Sequence, residues 1–273
     1  PAGRGIERTE TLGLRQEECA GWEEMTRRIV APFHDGVISQ FEGYADLAEL
    51  DWEHYRRRYG DVQRLDRILE SEGLSANSFR VSKQADVLML FYLLSADELR
   101  ALLRRLGYRL SRDTIRKTIE YYLARTSHGS TLSALVHAWV LGRANRDRAL
   151  EHFTRLLRSD TADIQGGTTA EGVHLAAMAG SVDLLQRCFT GLETTGDTLR
   201  FNPAWPGQLG TLAFAMRYRE HPLTVRINSA SLRVSAEPGN APPIRVECWG
   251  QTRMLGPGDT AEFVVRPKVA EVR

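Results

Sequence analysis

A chain of 273 residues, 42% hydrophobic and 26% charged, is long enough to bury one large core or two modest ones, and its composition is not that of a disordered tail. A formal charge of +1 gives no long-range pull toward nucleic acid or acidic membranes, and no apolar run approaches the roughly 20 residues that span a bilayer. Cys19, Cys188 and Cys248 are far apart and lack CxxC spacing, so neither a disulfide framework nor a zinc site is indicated, and a reducing, cytoplasmic compartment is expected.

The chain opens at Pro1 with neither an initiator Met nor an apolar leader, which reads as a cut end within a longer protein. From about Thr9 to Ile29, Leu12, Leu14, Trp22, Met25 and Ile29 recur at helical spacing, and Pro32 ends that helix. Residues 33–52 are less regular, as expected of a loop crossing a core. Asp61 to Glu70 is a short helix candidate. Ser82 to Leu94 is the next helix, and Ser95 and Glu98 form a capping box that opens a further one, stopped at Gly107. Helices then follow from Ser111 or Asp113 to Leu123, up to Leu141, from Arg146 to Arg158, from Val173 to Ala179 and from Ser181 to Phe189. Helices joined by short loops, with no intervening strand, predict an all-α layer of antiparallel pairs in which alternate loops lie at the same end.

The character changes around Gly196. Leu212 to Tyr218, Leu223 to Ile227, Ser231 to Ser235, Ile244 to Cys248, Gln251 to Leu255 and Ala261 to Val265 cluster β-formers between turn residues such as Glu237-Pro238-Gly239-Asn240 and Gly256-Pro257-Gly258-Asp259. The expected organisation is therefore a helical part over residues 1–196 and a small antiparallel β-sandwich or sheet over 197–273.

Three stretches carry the chemistry. Thr126-Ser127-His128-Gly129-Ser130-Thr131-Leu132-Ser133 and Gln165-Gly166-Gly167-Thr168-Thr169-Ala170-Glu171-Gly172-Val173-His174 are polar, small-residue loops that each run into an apolar helix. Such loops bring hydroxyls and unpaired backbone N–H groups to the positive end of a helix dipole, where an anion is favoured. The competing reading is plain capping, since Thr168 and Glu171 are spaced as a capping box. In the third stretch, Lys83 and Gln84 stand at the expected first turn of the Ser82 helix, where a Lys is opposed by the dipole. A Lys and a Gln side by side offer the donors and the acceptor that sugar hydroxyls require. His137, inside an apolar helix beside Trp139, reads as a hydrogen-bonded core histidine, and His174 as a neighbour of the anion loop. No His, Asp or Glu cluster has metal-ligand spacing.

These three stretches together resemble the C-terminal half of glycoside hydrolase family 65, which includes the inverting trehalose, maltose, kojibiose and nigerose phosphorylases. The likeness covers nearly the whole chain, and it implies part of an (α/α)6 barrel followed by a C-terminal β domain. By the family pattern, Lys83 and Gln84 would bind glucose beside the scissile bond, and His128, Ser130, Gly167, Thr168 and Thr169 would hold the attacking phosphate. Inorganic phosphate would then be a co-substrate, with no cofactor, and a disaccharide such as trehalose or kojibiose would yield β-glucose 1-phosphate. The family more often has two serines in the His128 loop, where this chain has Ser130-Thr131. The family's general-acid Glu lies in an Asp-Glu stretch that nothing between Pro1 and Lys83 resembles, and Asp35, Glu42 and Asp46 are not assigned the role. The resemblance thus implies a C-terminal piece of a longer enzyme, inactive alone, whose partners are the disaccharide, phosphate and the remainder of its own chain. Trehalase-like hydrolysis and a non-catalytic scaffold are the alternative readings. Which disaccharide is used, and whether the protein is a homodimer, stay open.

Overall fold

The computed structural model describes residues 11–84, 86–142, 145–163, 170, 172–195 and 197–265. The helices are α1 (Gln16–Arg28), α2 (Trp52–Tyr59), α3 (Leu65–Ser71), α4 (Asp86–Leu93), α5 (Ala96–Arg105), α6 (Arg112–Ala124), α7 (Thr131–Leu141), α8 (Arg146–Leu157) and α9 (Leu175–Asp183). The strands are β1 (Phe33–His34), β2 (Val37–Ile38), β3 (Glu193–Thr195), β4 (Thr198–Phe201), β5 (Leu212–Tyr218), β6 (His221–Ile227), β7 (Ser231–Ala236), β8 (Ile244–Cys248), β9 (Gln251–Leu255) and β10 (Thr260–Val264). They divide into two compact units, one of Pro1–Val62 with Asp66–Thr126 and one of Gln63–Leu65 with Ser127–Arg273.

In the first unit, the segment expected as an irregular crossing contains a two-residue hairpin, β1–β2, stitched to α6. The Tyr122 hydroxyl donates to the Ile38 carbonyl at 2.8 Å, and the Ile38 amide donates to Thr118 Oγ1 at 3.2 Å. Tyr44, Tyr122, Val37, Ile38 and Leu88 are buried around this contact. Helix α5 begins as its capping box predicts, with Ser95 and Glu98 satisfying each other's backbone donors. Helix α2 was not expected, because most of its residues are charged and only Trp52 and Tyr55 are buried. Helix α1 starts at Gln16, later than the periodicity suggested, and leaves Trp22, Met25 and Ile29 about half exposed.

In the second unit, α7 and α8 form a helical hairpin against which α9 packs. The sequence suggested a break at Gly180. Instead α9 runs through it and passes into a π-helical turn, Leu184–Phe189. A Cβ on Gly180 would lie 2.2 Å from Leu135 Cδ2, so glycine is there for close approach to α7 and does not stop the helix. Further along, Cys188 Sγ meets the Trp139 carbonyl at 3.6 Å. Contacts thus advance along both elements together, from Leu135 with Gly180 to Trp139 with Cys188. Helices α7 and α9 therefore run parallel, and their N-termini lie at the same end, as expected of alternate helices.

The strands form two four-stranded sheets, ordered β10-β7-β6-β5 and β3-β4-β8-β9. Period-two alternation buries Leu223, Val225 and Ile227 on β6, Leu232 and Val234 on β7, and Ile244, Val246 and Cys248 on β8. The β3–β4 hairpin was not foreseen, and β4 pairs parallel with β8, so the second sheet is mixed. The end of the π turn is tied to the segment that follows β4 by paired bonds, Ala204 amide to Phe189 carbonyl at 2.8 Å and Asn202 amide to Gly191 carbonyl at 3.1 Å. At Gly191 φ is +62°, and a Cβ would lie 2.2 Å from the Asn202 carbonyl oxygen. Gly191→Ala is expected to cost about 3 kcal/mol, combining a left-handed backbone with a backbone clash, as read by urea denaturation. A loss below about 1 kcal/mol would show that the junction relaxes freely.

Candidate active site

Lys83 and Gln84 lie in a bend of the first unit, and α4 begins after them at Asp86. The argument that Lys83 opposes the helix dipole from the first turn therefore does not apply; the lysine precedes the helix and is exposed. The bend is held from both sides by a residue that the sequence reading did not single out. Gln40 Nε2 donates to Ser82 Oγ at 2.9 Å, and Gln40 Oε1 accepts from the Val87 amide at 3.2 Å. One side chain thus satisfies an orphan donor at the start of α4 and anchors the residue before Lys83. Ser82 is also paired with Thr126, its amide donating to the Arg125 carbonyl at 2.9 Å. Arg125 in turn binds Glu49 and lies over the Tyr121 ring at 3.8 Å. A separate open groove of about 660 Å³ is lined by His34, Ser39, Glu42, Asp46 and Arg109 among others, and neither Lys83 nor Gln84 borders it.

The other predicted residues belong to the second unit. Ser130 is the N-cap residue of α7, yet its hydroxyl is not used to cap that helix. His128 has φ +60°, an uncommon conformation for a residue with a side chain and one that recurs at functional positions. This backbone turn lets His128 Nδ1 reach Ser133 Oγ at 2.9 Å, one turn into α7. His137, a further turn on, binds the Ser133 carbonyl through Nδ1 at 2.7 Å and is fully buried, as expected of a core histidine. The rings of His128 and His137 are 4.5 Å apart, and His152 of α8 lies 5.3 Å from each. Three rings so close were not foreseen. The available signal was that Ser133 and His137 share a helix face at i and i+4.

Gly167, Thr168 and Thr169 lie outside the described residues, as does Glu171. Helix α9 itself begins at Leu175 with His174 as its N-cap residue, and the expected capping box of Thr168 and Glu171 lies outside the described residues. Among the described residues, Asp160 and His174 form a close pair. Asp160 accepts from the His174 amide at 3.1 Å and meets His174 Nδ1 at 2.5 Å. Asp160 follows α8 and His174 precedes α9, so this pair joins the end of one helix to the start of the other. Among the described residues, no group of three or more His, Cys, Asp or Glu could hold a metal, and no helix is long and apolar enough to cross a membrane.

Residues 3–183 match the model of the glycosyl hydrolase family 65 central catalytic domain, and residues 192–253 match that family's C-terminal domain. The chain belongs to glycosyl hydrolase family 65. It is 61% identical over 253 residues to an uncharacterized glycosyl hydrolase of Mycobacterium tuberculosis, covering 93% of this chain and 19% of that protein. To the trehalose 6-phosphate phosphorylase of Lactococcus lactis it is 37% identical over 203 residues, covering 74% of this chain and 26% of the relative. The fold is similar to that of a putative kojibiose phosphorylase from the human microbiome, with a TM-score of 0.66 at 20% identity, over 94% of this chain and 32% of that one. The chain thus spans about a fifth to a third of the length of these family 65 proteins.

Burial, the dominant cause, lowers the pKa of both His137 and His152 to about 4 from the ordinary 6.5. The unfolded chain therefore binds protons that the folded protein refuses between those values. The stability this represents is complete above pH 6.5 and is lost as the pH falls toward 4. For His137 the full effect is about 3 kcal/mol. Unfolding free energy measured from pH 7 to pH 4 should fall accordingly, and His137→Gln should make the slope shallower. An unchanged slope would mean that His137 is not buried as a neutral ring.

Proposed function

We propose that this chain carries the phosphate and sugar subsites of an inverting disaccharide phosphorylase, acting on an α-glucoside such as trehalose or kojibiose and releasing β-glucose 1-phosphate. The observation that carries the reading is the parallel packing of α7 and α9, with the His128 loop opening the first helix and the segment bearing Thr168 leading into the second. Two helix N-termini at one end supply partial positive charge, which suits a small oxyanion. Membership of family 65 and the phosphorylase names of several relatives support the same reading.

The chemistry gives each part its role. A phosphate oxygen attacks the anomeric carbon, the bond to the leaving sugar oxygen breaks with inversion, and a carboxylic acid protonates that oxygen. Phosphate is already a competent nucleophile, so a cradle that positions it takes the place of the general base that water would need. In this scheme Lys83 and Gln84 bind the glucosyl unit, while His128, Ser130, Gly167, Thr168 and Thr169 bind phosphate. The general acid would come from the remainder of the longer protein.

In the full-length protein, assayed with trehalose, trehalose 6-phosphate and kojibiose, phosphate should be required for cleavage. His128→Ala should raise the phosphate KM by about tenfold or more, the loss of one charge-assisted hydrogen bond, with a small change in the disaccharide KM. Lys83→Ala should show the reverse pattern. Cleavage that proceeds equally well in water would replace this reading with hydrolysis.

A further inference from the structure

We infer that Ser133 is a positioning residue that fixes His128 in the tautomer carrying its proton on Nε2, so that this nitrogen is the donor to the bound oxyanion. The inference rests on the phosphate role proposed for His128 and extends it to a residue that does not itself meet the ligand.

The assignment follows from hydrogen-bond rules applied along one chain of contacts. The Ser133 carbonyl can only accept, so its 2.7 Å contact with His137 Nδ1 requires a proton on that nitrogen. The same N–H lies 3.4 Å from Ser133 Oγ, and a hydroxyl facing a donor turns its own proton elsewhere. Among the described residues, the partner in reach is His128 Nδ1 at 2.9 Å. Ser133 Oγ–H therefore donates to His128 Nδ1, which is left as an acceptor, and the ring proton sits on Nε2. The arrangement is fixed from behind, since Ser133 and His137 are both 0% exposed. His137 cannot turn its ring without breaking the 2.7 Å bond. The polarity thus runs one way, from His137 through Ser133 to His128, and ends in an N–H. Ordering a catalytic ring by what its other nitrogen binds is how histidine tautomers are generally set.

The test is a pair of backgrounds in the full-length protein. A glutamine amide in place of His128 supplies an Nε2 donor whose identity does not depend on Ser133. Ser133→Ala should raise the phosphate KM about tenfold in the His128 background, leave the disaccharide KM within about twofold, and have little further effect once His128→Gln is present. Alanine is a good helix former at this buried position. Should the variant nevertheless not fold, Ser133→Cys, with its weak donor, takes its place with a smaller change of the same sign. Equal effects of Ser133→Ala in both backgrounds, or equal effects on both substrates, would show a merely structural role and overturn the inference. If His128→Ala raises the phosphate KM and Ser133→Ala does not, the inference fails while the phosphate role stands. If His128→Ala itself leaves the phosphate KM unchanged, the phosphate role fails and the inference with it.

Discussion

The second unit depends on a side chain that is absent. Gly180 lets Leu135 occupy the volume where a Cβ would stand, bringing α9 onto α7 closely enough for the two to run side by side in the same direction. Parallel helices separated in sequence by an antiparallel one are what place successive odd helix starts at one end. Everything proposed for the anion site inherits that geometry, since a dipole acts only over the first turn of its helix. An antiparallel α9 would put its start beside the end of α7. The two loops would then face opposite ends of the unit whatever their residues. Close packing also makes the arrangement hard to deform gradually, because a helix pair at this spacing either interdigitates or separates.

Behind the helix starts, the protein buries polar groups that a purely structural core would avoid. His137 and His152 are held neutral by desolvation, and His137 spends its one proton on a carbonyl. Leucine at either position would remove the pH liability and add apolar contact. What histidine supplies instead is direction. A buried donor leaves its acceptor one orientation, and the order passes through the Ser133 hydroxyl to the ring of His128. The left-handed backbone at His128 belongs to the same constraint, since it turns the imidazole back over α7 to reach Ser133. Local strain at one residue is compensated by a bond at each step behind it.

The strand-rich part was largely legible because period-two alternation between turns is a local signal. Leu212–Tyr218, Ile244–Cys248 and Gln251–Leu255 have the ends that the alternation predicts. The β3–β4 hairpin was not, because β4 gains its order by pairing with β8 more than forty residues later, a contact invisible to a short window. Helix starts were legible where a side chain close in sequence made the cap, as at Ser95 and Ser111. At α4 the partner of the first turn is Gln40, distant in sequence, and the start was read several residues early. Gly180 was misread because a glycine that ends a helix and one that admits a neighbour look alike until the neighbour is known. The loop motif drew attention to His128 and Ser130, whereas the contacts of Ser133 and His152 with His128 appear only when α7 and α8 are folded.

A cradle built from dipoles and neutral donors differs in kind from one built from lysines and arginines. With a net charge of +1 this chain gives little steering, so the proposed selectivity for an oxyanion would rest on fixed geometry at short range. A formal cation would hold any anion and would bind phosphate and product alike. Oriented N–H groups instead reward the one position where several converge, and they cost no reorganisation when charge redistributes during attack. That is the property a phosphorolytic site needs, because the same phosphate must be bound as a substrate, act as a nucleophile and then leave attached to glucose. A histidine whose ring is oriented by the residue behind it would add one more donor of fixed direction to such a site.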